Sequence, residues 1–179
     1  MNRPPQFNFL ARLLHWTMAL AILAMLFVGA GMVVSLRYRE LLLDLHRPLG
    51  IAILLLAIVR LVNRLRHAPP PLPADLPRIQ VWAAKASHWL LYALMLAMPL
   101  IGWAMLSAGA YPVTLADGVN LPAIVPHSPA LYGFLRPLHG MLAYLLFFVI
   151  LGHLGAALFH AWVRRDGVFE QMTGKGRMP

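Results

Sequence analysis

The sequence predicts an all-α membrane protein: a single domain over residues 1–179 built as a four-helix transmembrane bundle. Three observations predict it. Hydrophobic residues make up 60% of the chain and charged residues only 12%, with a mean hydropathy of +0.70. Soluble domains carry about 25% charged residues, and disordered chains need low hydrophobicity. Four apolar runs, each long enough to cross a bilayer, nearly exhaust the length and leave no room for a soluble domain. Histidines also outnumber carboxylates, eight against six, which disfavours a carboxylate-driven hydrolase or cation pump and points to a metal or haem.

The predicted helices cover approximately 10–34, 46–65, 81–106 and 138–163. Only Arg12 and His15 interrupt the first run, which is too long for a signal-peptide core and has no small-residue cleavage pattern directly after it. At about 1.5 Å per residue each run spans the ~30 Å hydrocarbon layer. Backbone groups in lipid must be satisfied within the segment, which selects helices over strands. A short polar stretch with Arg37, Arg39, Glu40 and Asp44 joins the first two helices. Pro69, Pro70, Pro71, Pro73 and Pro77 make the next connection a stiff, extended one. The longest connection, Ala108 to Pro137, carries four further prolines and almost no positive charge.

The absence of cysteine excludes disulfides, thiolate-held iron–sulfur clusters and covalent haem attachment. The net charge of +9 is topogenic. Arg3, Arg12, Arg60, Arg64, Arg66, Arg78, Lys85, Arg164, Arg165, Lys175 and Arg177 fall on the side of the termini, whereas only Arg37, Arg39, Arg47 and Arg136 fall on the other. The positive-inside rule therefore places both termini in the cytoplasm, and no nucleic-acid partner is needed to explain the charge.

Polar groups inside a membrane are costly and usually functional. His15 lies near the cytoplasmic end of the first helix and His46 at the outer end of the second. His139 and His153 lie fourteen residues apart on the fourth. Fourteen steps fall only ~40° short of four full turns and cover ~21 Å, so the two imidazoles share a face at two depths. Pairing by depth gives His15 with His153 and His46 with His139, each pair able to supply both axial ligands of one b-type haem iron. Gly50, Gly140, Gly152, Gly155 and Ala156 near these positions serve either porphyrin space or close helix packing. Tetrahedral zinc would want its ligands clustered at one depth.

The chain resembles the bacterial four-helix cytochrome b561 family over nearly its whole length, and within it the superoxide oxidases. The matching residues are Arg12-Leu13-Leu14-His15-Trp16, His46-x-x-x-Gly50, Arg60-Leu61-x-x-Arg64, Ser87-His88 with Tyr92, Pro99-x-x-Gly102, Leu138-His139-Gly140, and His153 with His160 and Asp166-Gly167. The resemblance implies two haem b groups on the same four histidines, in a bacterial inner membrane, and electron transfer from superoxide to ubiquinone. Some relatives carry a second histidine where this chain has Ala161.

His88 and His160 both fall near the cytoplasmic face, with Lys85 one turn before His88. Imidazoles can hydrogen-bond and protonate a quinone, or they can snorkel to headgroups. Arg37, Arg39, Arg47 and Arg136 flank the outer ligands, where they either pair with haem propionates or form a positive funnel for superoxide. A rival function is a membrane-anchor cytochrome passing electrons between quinone and a partner dehydrogenase, hydrogenase or periplasmic redox protein.

Overall fold

The computed structural model describes residues 6–174, so Arg3, Lys175 and Arg177 of the charge count lie outside the described residues. Four helices are long and apolar enough to cross a membrane: α1 (Phe9–Val34), α2 (Arg39–Arg66), α3 (Arg78–Ala108) and α4 (Pro129–Leu158). A π-helical turn at Phe159–Arg164 extends α4, and a short α5 (Glu170–Thr173) follows. The first three predicted runs lie inside α1, α2 and α3, and the fourth lies inside α4 together with its π-helical extension.

Two helices start earlier than predicted. α2 begins at Arg39 rather than near 46, and α4 begins at Pro129 rather than near 138. Apolarity marks the depth of lipid, not the end of a helix, so the polar residues Arg39, Glu40, Asp44 and Arg136 are helical while lying beyond the apolar zone. Local signals set the true start of α4: the Ser128 side chain accepts from Leu131 N–H at 3.3 Å, and Pro129 occupies a first-turn position where no N–H is required. At the other end of the bundle, Asn8 caps α1 by accepting from Ala11 N–H at 2.7 Å. Pro48, Pro99 and Pro137 all sit within helices.

The long connection is not featureless. Val113–Ala116 (β1) and Val119–Leu121 (β2) form an antiparallel hairpin that turns on Asp117-Gly118, with Gly118 at φ 75°. An Asp-Gly pair between short β-prone runs is a hairpin signal, and glycine adopts positive φ without steric cost. The hairpin packs on α2 and α3, with Val113 buried. It defines one end of the bundle, here called the hairpin side; the other is the terminal side.

Packing within the bundle is uneven. α1 packs on α2, α3 on α4, and α2 on α3, whereas α1 and α4 have no comparable backbone approach. The principal core cluster is Met18, Ile22, Ile53, Ala57, Leu94, Met95 and Leu146, lying between the two histidine levels. Leu146 stands midway between His139 and His153 on α4, so an apolar slab separates the two histidine levels.

Candidate functional site

α4 runs without interruption from His139 to His153, so the two levels are ~21 Å apart along its axis. At the hairpin-side level the rings of His46 and His139 have centres 6.1 Å apart and an interplanar angle of 65°. At the terminal-side level His15 and His153 are 6.2 Å apart at 61°. The structure therefore brings together the two pairs that depth alone selected.

These distances suit a shared metal. Imidazole nitrogens bind transition-metal ions at about 2.0–2.1 Å, which puts the centres of two rings on opposite sides of one ion about 6 Å apart. Rings that stand perpendicular to an intervening plane are free to differ in rotation, so angles of 61° and 65° are compatible with a macrocycle between them. The weak backbone approach of α1 to α4 allows such a plane to enter. His46 Nδ1 is buried and has no hydrogen-bond partner among the described residues. A Cβ built at Gly140, Gly152 or Gly155 would meet no atom within 4 Å, whereas one at Gly50 would touch the Met25 methyl at 3.7 Å. The described residues contain no group of three or more His, Asp or Glu that could hold a metal ion, the arrangement tetrahedral zinc would need.

A family model described as prokaryotic cytochrome b561 matches residues 6–175. The chain belongs to the prokaryotic cytochrome b561 family. This cytochrome is 28% identical over 179 residues to cytochrome b561 homolog 2 of Escherichia coli (strain K12), covering 97% of this chain and 94% of that protein. It is 32% identical over 166 residues to the probable superoxide oxidase CybB of Yersinia pestis, covering 92% and 93% of the two chains. It is 29% identical over 132 residues to cytochrome b561 homolog 1 of the same E. coli strain, covering 74% of each. Membership makes it a multi-pass membrane electron-transfer protein of the haem b type.

The surroundings of the four histidines hold features that sequence reasoning missed. A Cβ at Gly102 would stand 3.3 Å from His139 Cε1, and one at Gly29 would stand 3.9 Å from His46 Cε1. Each hairpin-side ring thus packs against a glycine of a neighbouring helix. Gly102 had been visible only as part of Pro99-x-x-Gly102, and Gly29 carried no signal. His88 lies against His153 with ring centres 5.4 Å apart, closer than His15, so it belongs to the terminal-side cluster of imidazoles. Arg60 Nη2 lies 3.1 Å from His15 Nδ1.

His160 is held differently. The π-helical turn presents its Nδ1 to Asp166 Oδ2 at 2.7 Å, and Arg164 Nε donates to the same oxygen at 3.0 Å. Arg164 also reaches Asp75 in the Pro-rich connection at 2.6 Å. An ionised carboxylate only accepts, so His160 Nδ1 must carry the proton in that bond, and Nε2 becomes the exchangeable nitrogen. Lys85, one turn before His88, is exposed and forms no ion pair among the described residues.

Burial pushes the Asp166 carboxyl up, but the hydrogen bonds from His160, Val168 N–H and Arg164 outweigh it and hold the group below its ordinary value of 3.8. A depressed pKa contributes stability that is complete above the unfolded value and is lost as pH falls through the folded one. Asp166→Asn should therefore lower the thermal midpoint at pH 7, and the gap from the parent should close below pH 3.8. A gap that persists at pH 2 would place the loss in packing rather than charge.

Of the hairpin-side arginines, Arg47 has the most protected side chain, 16% exposed. It reaches Asp44 at 3.6 Å, and its Nε is buried without a partner among the described residues. Arg37 lies over the Tyr38 ring at 5.4 Å, while Arg39 and Arg136 are exposed. His127 bonds the Ala108 carbonyl at 3.0 Å and ties the connection to the end of α3.

Proposed function

We propose that this cytochrome binds two haem b groups, one between His46 and His139 and one between His15 and His153, and transfers electrons from superoxide to ubiquinone across a bacterial inner membrane. The observation that carries this is the repetition of one geometry at two depths: two imidazole pairs about 6 Å apart, on helices sharing one continuous α4. The 32% identity to a probable superoxide oxidase supports the choice of donor. The excess of basic residues on the terminal side supports a cytoplasmic location for it, and a periplasmic one for the hairpin side. The domain is then one unit, since both proposed sites draw on helices from its two halves.

Bound haem supplies one-electron exchange between ferric and ferrous iron. Two superoxide ions each give up one electron and leave as dioxygen. Ubiquinone takes two electrons and two protons and leaves as ubiquinol. The chain's own part begins with attraction: Arg37, Arg39, Arg47 and Arg136 set a positive potential around the hairpin-side pair. At the terminal side His160, fixed at Nδ1 by Asp166, offers Nε2 to a quinone oxygen and can pass a proton there. His88 and Lys85 complete the polar groups proposed for that end.

The test is to mix purified protein with a superoxide source and ubiquinone while following haem absorbance and ubiquinol. Fast haem reduction and ubiquinol formation by the protein alone are expected. His160→Ala should keep both haems reducible and slow their reoxidation by quinone severalfold. Protein that is inert to superoxide but reduced by a co-purifying dehydrogenase, hydrogenase or periplasmic redox protein would establish the anchor function instead.

A further inference from the structure

On the terminal side a cavity of about 420 Å³ opens between the start of α1, the end of α2 and Tyr92 of α3. Among the described residues its charged lining is entirely basic: Arg60, Arg64 and Arg66 face it together with Asn8 and Asn63, and no described Asp or Glu lines it. Arg60 and Arg64 are one turn apart on the same helix face, where like charges repel. Arg60 Nη1 and Arg64 Nη1 are nevertheless buried and hydrogen-bonded to nothing among the described residues. Burying guanidinium nitrogens without an acceptor is costly, so such a pair calls for an anion.

The contact between Arg60 and His15 identifies which anion. Arginine only donates, so its Nη2 at 3.1 Å treats His15 Nδ1 as an acceptor. A neutral imidazole that binds iron through Nε2 carries its proton on Nδ1. The two N–H groups then oppose each other, and Arg60 must turn to another acceptor close by. The cavity adjoins His15 through Arg60 itself, so that acceptor has to lie within reach of both the ligand and the arginines.

We propose that Arg60 and Arg64 seat the propionate carboxylates of the haem bound by His15 and His153, and that their charge raises the midpoint potential of that haem. This rests on the bis-histidine assignment above. Ferric iron becomes less positive on reduction, so neighbouring cations favour the reduced state. Outer and inner haems would then differ because the hairpin-side level has only Arg47 similarly buried, and Arg47 is already paired with Asp44.

Arg64→Gln provides the test, since Arg64 touches no proposed iron ligand. Purified holoprotein should keep two haems by pyridine haemochrome assay. In a redox titration one of the two components should shift about tenfold toward the oxidised form at fixed potential, equivalent to about 59 mV for one electron, and the other should not move. Arg64→Lys, which keeps the charge, should restore the parent value and so separate charge from packing. With haem isotopically labelled at the propionate carboxylates, the labelled bands in the redox infrared difference spectrum should move in Arg64→Gln. Unchanged potentials and bands, with loss of co-purifying phospholipid phosphate, would overturn the proposal and give the cavity to an anionic lipid headgroup. Unchanged potentials, bands and phosphate would overturn it outright. A parent protein without two haems would instead defeat the bis-histidine assignment, a result visible before any variant is made.

Discussion

Replacing His46 or His139 with alanine should halve the haem content, removing the hairpin-side group and leaving the other spectrum intact. His15→Ala or His153→Ala should do the converse. Each proposed haem iron would be held by two imidazoles, and no third imidazole stands in ring contact with the His46–His139 pair among the described residues. The terminal-side level differs, because His88 lies 5.4 Å from His153 and offers a nearby nitrogen. Loss of haem should therefore be cleaner in the hairpin-side variants, while His15→Ala should leave a fraction of altered, His88-dependent spectrum that His15→Ala/His88→Ala abolishes. Gly102→Leu supplies an independent check. Its added side chain must displace the His139 ring, which stands 3.3 Å from a Cβ at that position, and it should mimic His139→Ala without replacing a ligand. Pyridine haemochrome assays count the groups, and two haems in all four alanine variants would refute the assignment.

Neutralising Arg37 and Arg39 together with glutamine should lower haem reduction by superoxide severalfold at low ionic strength and much less at high. Reduction by a neutral donor should be unaffected. Both residues are exposed, so they act through the field they create and not through packing. Steered association of a small anion depends on that field and is screened within about 10 Å at 0.1 M salt. Arg47 is left in place because its protected guanidinium, leaning on Asp44, is the hairpin-side group best suited to a fixed carboxylate partner. Stopped-flow traces at two salt concentrations decide the matter. Superoxide reduction that is slow and indifferent to both salt and substitution would remove superoxide as donor and favour a partner-fed anchor.

The bundle was legible in the sequence because lipid imposes a coarse rule. A run such as Val81–Leu106 has few alternatives to a helix once no water is present to satisfy its backbone. The histidine pairs were legible for a related reason, since His139 and His153 sit on one helix whose periodicity fixes both their shared face and their separation. Helix ends were harder, because Arg39 and Glu40 at the start of α2 are polar and the apolar pattern is silent about polar helix. The hairpin is masked by the prolines of its connection, although Asp117-Gly118 stands between two short β-prone runs. Apart from those pairs, side-chain contacts between helices could not be read. Nothing in the spacing of Gly29 and His46, or of Arg60 and His15, states that they touch, because that depends on the rotation of each helix against its neighbour. Asp166 was visible as part of a motif, but its hold on His160 requires the π-helical turn that no local pattern announced.

The slab of Met18, Ile22, Ile53, Ala57, Leu94, Met95 and Leu146 between the two levels has an energetic consequence for the membrane as a whole. These seven side chains carry no hydroxyl, amide or ionisable group, and Tyr92, packed against them, lies toward the terminal side beside Arg60, so among the described residues the slab offers no relay from one level to the other along which a proton could accompany an electron. On the proposed orientation, negative charge moves inward unescorted, and the protons for ubiquinol come from the cytoplasm. The reaction is then electrogenic. It charges the membrane negative inside, and each elementary charge moved against an existing 100 mV costs up to about 2.3 kcal/mol. A well-energised cell would hold this cytochrome back, and a depolarised one would release it, with no regulatory site required.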